Sequence, residues 1–230
     1  MHRPALMRLA LLGVGVSMMI LALSGCGSGS AQQEEAKPRP LPAEEGHPLR
    51  PGEYSSGKYE PTFFFEVGKG WSTLVLDPPD GFSISTQGET TQGETMLGFT
   101  MFVEEVVKPG TQEVVKAPED LVGWFQDHPY LKTSEPEPVT VGGIKGEQFD
   151  VVVEAPEDYY GQCGSGDCMD VLMLSNGEAL WFVEALETRL FILEDVKGNT
   201  VVIDIQASPG EFDEFVTEAE KVLDTVKWEG

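Results

Sequence analysis

Acidic side chains crowd one short segment of this sequence, residues 154–170, where their type and spacing could hold a hard cation. They are Glu154, Glu157, Asp158, Asp167 and Asp170. Calcium prefers carboxylate and carbonyl oxygens, which makes it the best cofactor candidate. The segment contains no Asp-x-Asp-x-Asp-Gly loop, and a solvated acidic loop is the alternative. We therefore assign no metal ligand and no cofactor beyond this calcium hypothesis.

The same segment contains candidate residues for contact with a partner. Tyr159 and Tyr160 are adjacent, and Asp167 follows them in a glycine-rich stretch. Tyrosine is enriched among the residues that dominate protein interfaces. We predict Tyr159, Tyr160 and Asp167 as contact residues, and packing of the two rings in a core or at a sheet edge is the alternative.

The patterns that mark familiar catalytic machinery are missing from the sequence. His128 is the only histidine within residues 58–230, and its place before Pro129 favours a role at a helix end. The sequence lacks Gly-x-Ser-x-Gly, a phosphate-binding loop ending in Lys-Ser/Thr, and a dinucleotide fingerprint. The adjacent acids Glu104-Glu105 and Glu194-Asp195 lie at strand ends and face opposite ways. We predict a non-catalytic protein, with a carboxylate- or metal-dependent envelope enzyme as the alternative.

Residues 1–25 carry the signals of export. Arg3 and Arg8 precede the uncharged, mostly apolar run Leu9–Leu23. That run is shorter than the roughly 20 residues that a membrane-spanning helix needs, and it is typical of a secretory signal peptide. The following Leu23-Ser-Gly-Cys26 resembles the lipobox of bacterial lipoproteins. The resemblance implies a lipid on the Cys26 thiol and anchoring at the extracytoplasmic face of the cell membrane, whereas an ordinary signal peptide with a chance cysteine is the alternative.

Two further cysteines remain if Cys26 is lipidated. Cys163 and Cys168 are separated by Gly-Ser-Gly-Asp, so they do not form a Cys-x-x-Cys redox motif. An even number of cysteines in an exported chain suggests a disulfide, and two glycines would let the chain turn tightly enough to form it. We predict a disulfide between Cys163 and Cys168, which would act as a local clip because the loop is short.

The overall charge restricts the partners. The chain has 39 acidic and 15 basic residues, for a net charge of −24 at pH 7. Such a surface repels nucleic acids and anionic lipid headgroups, so we expect no nucleic-acid partner. The expected partners are the membrane, through the lipid on Cys26, and an unidentified envelope protein or small ligand.

The chain divides by composition into a tether and a domain. Residues 26–57 contain five prolines and few large apolar side chains, which predicts a disordered tether. Residues 58–230 have globular composition and a length that suits a single domain. The repeated pentapeptide Thr-Gln-Gly-Glu-Thr at residues 86–95 is interpreted as a hairpin loop, with a binding loop as the alternative.

Alternating apolar residues predict many strands within 58–230. The segments are 63–67, 82–85, 96–103, 149–153, 171–174, 180–183, 190–193 and 201–207. Asn176-Gly177 and Lys197-Gly-Asn199 join adjacent strands as hairpin turns, so the sheet should be antiparallel. Val201, Ile203, Ile205 and Ala207 share one face.

Two helices are predicted among these strands. One begins at Pro118 with acids in its first turn. The other follows Ser208-Pro-Gly-Glu211, which fits a capping box with proline at the first helical position. Its apolar stripe contains Phe212, Phe215, Val216, Ala219, Val222, Leu223 and Val226. This stripe predicts a helix packed across the sheet, in an α+β layered domain.

Two stretches carry a resemblance to a known fold family. They are Val139-Thr-Val-Gly-Gly-Ile-Lys-Gly-Glu-Gln-Phe-Asp150 and the C-terminal helix that ends before Lys227-Trp228. Together with the long antiparallel run, they resemble PsbP-like domains of uncharacterised extracytoplasmic lipoproteins. The resemblance implies a PsbP-like α/β sandwich over residues 58–230 that serves as an accessory or binding module. A carrier of an apolar ligand, with a cavity between helix and sheet, is a further alternative.

Overall fold

The alternating segments become strands in the computed structural model, which describes residues 37–86, 95–111, 113–156 and 168–230. The strands are β1 (Arg39–Pro40), β2 (Gly52–Ser55), β3 (Phe63–Val67), β4 (Trp71–Asp77), β5 (Gly81–Thr86), β6 (Thr95–Thr100), β7 (Glu105–Val107), β8 (Val114–Lys116), β9 (Leu131–Thr133), β10 (Glu137–Val141), β11 (Ile144–Val153), β12 (Cys168–Met173), β13 (Ala179–Val183), β14 (Glu187–Val196), β15 (Asn199–Ala207) and β16 (Lys227–Trp228). The helices are α1 (Leu121–Gln126) and α2 (Phe212–Leu223).

A central sheet of eight strands organises the described part of the chain. Its order is β10-β11-β14-β15-β6-β5-β4, and β9 pairs with β11 beside β10. All of its pairings are antiparallel. Strand β15 pairs with β14 through the predicted hairpin at Lys197-Gly198, but its other neighbour is the distant β6.

Helix α2 and the first flanking sheet, of order β1-β2-β3-β16, cover one face of the central sheet. The ring centroids of Phe63 and Phe99 are 4.9 Å apart, and those of Trp71 and Phe215 are 5.8 Å apart. All seven residues of the apolar stripe predicted for α2 are buried here. The amphipathic pattern therefore identified the packed face of α2 correctly.

The opposite face is covered over β11 and β14 by α1 and the second flanking sheet, of order β13-β12-β7-β8. Phe125 of α1 lies between Phe149 of β11 and Phe182 of β13, with ring centroids 5.9 and 6.2 Å away. Leu190 of β14 belongs to the same cluster and is fully buried. The central sheet is thus packed on both sides, by two separate apolar cores.

The described fold is rich in β-structure, with mostly antiparallel sheets and two helices. The prediction of an antiparallel sheet packed by helices in an α/β sandwich is thus confirmed in part and corrected in part, because two smaller sheets as well as the two helices cover the central sheet. The sequence pattern also placed both helix starts too early. Asp120 caps α1 through a hydrogen bond that its side chain accepts from the Gly123 amide, and α2 begins after Glu211, outside the predicted capping box.

The predicted tether is wrong from residue 37 onward. Leu41, Leu49 and Tyr54 are buried in the core, and β2 pairs with β3. The folded unit therefore begins at Lys37 and not at residue 58. The prolines are compatible with this folding, because Pro40 lies in the edge strand β1 and Pro48 forms an isolated bridge with Ser72 of the edge strand β4.

The predicted signal peptide, Cys26 and the rest of residues 1–36 lie outside the described residues. Within the part of the chain that the structure does describe, no helix is both long enough and apolar enough to cross a membrane.

We expect Leu49→Ala to lower the free energy of unfolding by about 2–4 kcal/mol, because a leucine in a packed core leaves a cavity when it is truncated. Leu49 is 4% exposed. Urea denaturation of the full chain measures the change, and Glu44→Ala, an exposed change in the same segment, serves as the control. Equal stability of the Leu49→Ala variant and the wild type would restore the interpretation of residues 37–57 as a tether.

Candidate functional site

A cleft of about 350 Å³ opens over the part of the central sheet that the second flanking sheet leaves uncovered. Its floor contains a row of three directly opposed residues on neighbouring strands, Ser83 of β5, Gly98 of β6 and Asp204 of β15. The next residue along this row, Leu190 of β14, already belongs to the second core. Along this row, the side chain under the second flanking sheet is therefore apolar, and polar side chains appear where that sheet no longer covers the central sheet.

Apolar side chains from two edge strands form the walls of the cleft. Val75 and Leu76 of β4 line one side, and Leu180 and Trp181 of β13 line the other. Val75 and Trp181 are 48% and 39% exposed, although most large apolar residues in the described part are buried. The β4 pairing is irregular between Thr73 and Leu76, a distortion of the kind that redirects side chains.

Among the described residues that line the cleft, Asp204 has the one carboxyl group that is withdrawn from solvent. The residue is 1% exposed, and its Oδ2 accepts a hydrogen bond from Gln206 Nε2 at 2.9 Å. Its Oδ1 has no hydrogen-bond partner among the described residues. Burial raises the pKa of Asp204 to about 6, while the Gln206 hydrogen bond and a backbone hydrogen bond act in the opposite direction.

Gly98 makes the position of this carboxyl group possible. A Cβ built on Gly98 would overlap Asp204 Oδ1, so the carboxyl group occupies the space that any other residue would fill. Any larger residue at 98 would force Asp204 into another rotamer. The glycine in β6 is therefore explained by the close approach of a side chain from the neighbouring strand.

Two hairpin tips meet at one end of the cleft. Both carboxylate oxygens of Asp77 accept hydrogen bonds from Asn176 Nδ2, at 2.8 and 2.7 Å. Asp80 Oδ2 accepts one from Ser175 Oγ at 3.0 Å. Burial raises the pKa of Asp77, with smaller contributions from the charges of Asp80 and Glu178, whereas the Asn176 hydrogen bond lowers it. These bonds hold the tip of the β12–β13 hairpin against the β4–β5 turn.

The charged residues that line the cleft are all acidic. Glu45, Asp77 and Glu178 lie around Asp204, and none of the described lining residues is lysine, arginine or histidine. A ligand in this cleft would experience a negative potential next to apolar walls. The cleft therefore disfavours anions and suits a ligand with both apolar surface and hydrogen-bond donors.

Most of the residues that the sequence marked for chemistry are not described by the structure. Cys26, Tyr159, Tyr160, Cys163 and Asp167 are outside the described residues, so the lipid, the contact surface and the disulfide stay predictions. Cys168 begins β12 and is fully buried.

The acidic segment proposed for calcium is described only in part. Glu154 forms an ion pair with Lys132 at 3.7 Å. Asp170 lies on β12 opposite Trp181, and burial raises its pKa. Among the described residues, no group of three or more His, Cys, Asp or Glu could hold a metal ion.

His128 and Asp195, which the sequence analysis also considered for chemistry, lie in surroundings that explain them by their structural contacts. His128 is 4% exposed after the end of α1, and its Nδ1 accepts a hydrogen bond from the Tyr130 amide at 3.3 Å. Burial lowers the pKa of His128 to about 4, which keeps it neutral. Asp195 has a positive φ of 59° in the β14–β15 turn and accepts a hydrogen bond from the Gly198 amide.

The sequence contains a signal for the cleft within β15. There the polar residues Asp204 and Gln206 alternate with the predicted apolar face of Ile203, Ile205 and Ala207. An aspartate on the second face of a strand that is otherwise buried must either reach solvent or be held in a polar pocket. The partners Gly98 and Trp181 carried no comparable signal, because they come from distant parts of the chain.

No protein-family model and no curated protein sequence matches this chain. Among solved structures, it is similar to cyanobacterial PsbP (CyanoP) from Synechocystis sp. PCC 6803, with 10% identity, a TM-score of 0.42, and coverage of 82% of this chain and 99% of that one. It is also similar to LpqN, involved in cell envelope biogenesis of Mycobacterium tuberculosis, with 12% identity, a TM-score of 0.41, and coverage of 79% and 93%. The first belongs to the family that the sequence resembles. At these values, neither similarity assigns a function.

We expect Asp204→Asn to raise the free energy of unfolding at pH 7 by about 2–3 kcal/mol, because each unit of pKa shift corresponds to about 1.4 kcal/mol. The carboxyl pKa is raised on folding, from 3.8 to about 6. The unfavourable contribution is therefore absent below about pH 4, grows as the pH rises through this window, and is complete above about pH 6.

Urea denaturation at several pH values measures this difference, with Asp213→Asn on the exposed face of α2 as a control of equal charge change. A difference between wild type and Asp204→Asn that stays constant from pH 4 to pH 7 would contradict the assignment of a raised pKa.

Proposed function

We propose that this protein is a non-catalytic binding module whose ligand site is the cleft over Gly98 and Asp204. The observation that carries this proposal is a buried carboxyl group in an open cleft, with Asp204 Oδ1 unpartnered among the described residues. A buried polar atom without a partner costs folding free energy. Such a cost is retained where the polar atom serves another purpose, and ligand binding is the purpose that a cleft supports.

The dimensions and composition of the cleft support the same proposal. Small-molecule sites occupy about 300–1,000 Å³ and combine apolar walls with a few polar groups. The present cleft has a volume of about 350 Å³, with Val75 and Trp181 on its walls and Asp204 at its floor. It lies on the face of the central sheet opposite α2, whereas a carrier with a cavity between helix and sheet would need space that Phe215 and Ile203 already fill.

The non-catalytic part of the proposal rests on the surroundings of the titratable groups. His128 is buried beside α1 and is not among the residues that line the cleft. Asp77 is held at the hairpin tips by Asn176, and Asp204 is held by Gln206. Two restrained carboxyl groups, with no activated nucleophile beside them in the described part of the chain, fit recognition better than covalent chemistry.

We further propose that the domain acts outside the cytoplasm, anchored to the cell membrane by lipid on Cys26. The support is the resemblance of Leu23-Ser-Gly-Cys26 to a lipobox and of the domain to PsbP-like lipoproteins. The predicted contact residues of an envelope partner, Tyr159, Tyr160 and Asp167, lie outside the described residues and stay part of this proposal.

A small-fragment screen by amide chemical shifts tests the cleft as the ligand site. We expect at least one neutral or cationic fragment to shift the signals of Gly98, Leu180 and the Trp181 indole together. Trp181→Ala should weaken that binding about fivefold, since an aromatic wall contributes on the order of 1 kcal/mol to such contacts. Val114→Ala, an exposed apolar residue elsewhere, is the matched control. Shifts confined to the neighbourhood of residues 157–167 would place the ligand site in that segment instead.

Labelling with an alkyne fatty acid in a bacterial host tests the anchor. We expect the wild-type chain to be labelled and to sediment with membranes. Cys26→Ser should lose both properties, because the thioether requires a thiol at that position, while Ser30→Ala should keep them. Equal labelling of Cys26→Ser would show that the lipid, if present, is on another residue.

A further inference from the structure

Three features that meet in the cleft restrict the chemical class of ligand that it can bind. These are the unpartnered Asp204 Oδ1 at the floor, the apolar walls around Val75 and Trp181, and the acidic residues Glu45, Asp77 and Glu178. Each feature selects for a different property of the ligand. Only a molecule with all three properties satisfies the site.

The floor selects for a hydrogen-bond donor with positive charge. Asp204 is 1% exposed, so water compensates little of its charge when it is ionised. A buried carboxylate is stabilised most by a charged donor, because charge-assisted hydrogen bonds are about twice as strong as neutral ones. Gln206 supplies one neutral donor to Oδ2, which leaves Oδ1 for the ligand.

The lining residues select against anions and against bare metal ions. No basic side chain is found among the described lining residues, so an anionic group would meet only like charge. A hard metal ion would need six or more oxygen ligands, and no group of three or more metal-ligating side chains occurs among the described residues. An organic cation, by contrast, can be bound by a single carboxylate through a charge-assisted hydrogen bond.

We propose that the cleft takes a small organic cation, a primary ammonium group on an apolar body. The ammonium group donates a hydrogen bond to the Asp204 carboxylate, which turns toward the cleft to accept it because Oδ1 is buried beside Gly98 in the described position, and the apolar body lies between Val75 and Trp181. This assignment rests on the proposed function, because it names the ligand class of the same cleft. Glu45 and Glu178 contribute long-range attraction at the mouth and make no contact that the geometry requires.

Binding of three six-carbon probes to the full chain at neutral pH tests the assignment. The probes are n-hexylamine, n-hexanol and n-hexanoate, which share an apolar body and differ in the charge of the head group. We expect hexylamine to shift the Gly98 and Trp181 signals and to bind at least about tenfold more tightly than hexanol, the ratio that a charge-assisted hydrogen bond provides. Hexanoate should not bind.

Two variants test whether the preference for hexylamine over hexanol depends on the Asp204 side chain. Asp204→Asn removes the charge, keeps the shape and should weaken hexylamine about 10- to 100-fold while leaving hexanol unchanged. Asp213→Asn changes the net charge equally on the exposed face of α2 and should leave both affinities unchanged. An equal loss in both variants would attribute the preference to overall charge and would overturn the role of Asp204.

The outcomes separate the ligand class from the function of the cleft. If hexanol binds as tightly as hexylamine, or if another fragment occupies the cleft while hexylamine does not, the cation assignment is wrong and the binding function stands. If neither the probes nor the fragments shift cleft signals, the proposed function itself is overturned.

Discussion

The burial of β15 on both faces is the constraint on which the rest of the structure depends. Its residues Ile203 and Ile205 face α2 and the first flanking sheet, whereas Val202 belongs to the core under the second flanking sheet. Because side chains alternate along a strand, a shift of one residue would exchange the two sets. The pairing of β15 with β14 and β6 therefore sets the position of both apolar cores at once.

Asp204 is the exception that this strand accommodates. A carboxyl group in a doubly buried strand costs free energy unless it is hydrogen-bonded, and here only Oδ2 has a partner among the described residues. The absence of a side chain at Gly98 provides the space, and Gln206 provides one donor. Proteins commonly retain such a cost where binding requires a polar group held in advance in an apolar setting.

The cleft exists because the two faces of the central sheet are covered to different extents. On one face, α2 and the first flanking sheet extend over β15, β6 and β5. On the other, the second flanking sheet packs over β11 and β14, and its β12–β13 hairpin reaches the β4–β5 turn through Asn176 and Ser175. The hairpin thus becomes a wall, and the polar row beneath it becomes a floor.

Local patterns in the sequence determined the strands, the Asn176-Gly177 hairpin and the buried stripe of α2, because periodicity and turn chemistry act over a few residues. They also predict a lipid on Cys26, and the composition gives a net charge of −24 at pH 7. Only the tertiary structure decided that residues 37–57 fold, because the burial of Leu41 and Leu49 depends on surfaces built later in the chain. It alone brought Gly98 and Asp204 together, since strand pairing between distant segments leaves no local trace in the sequence.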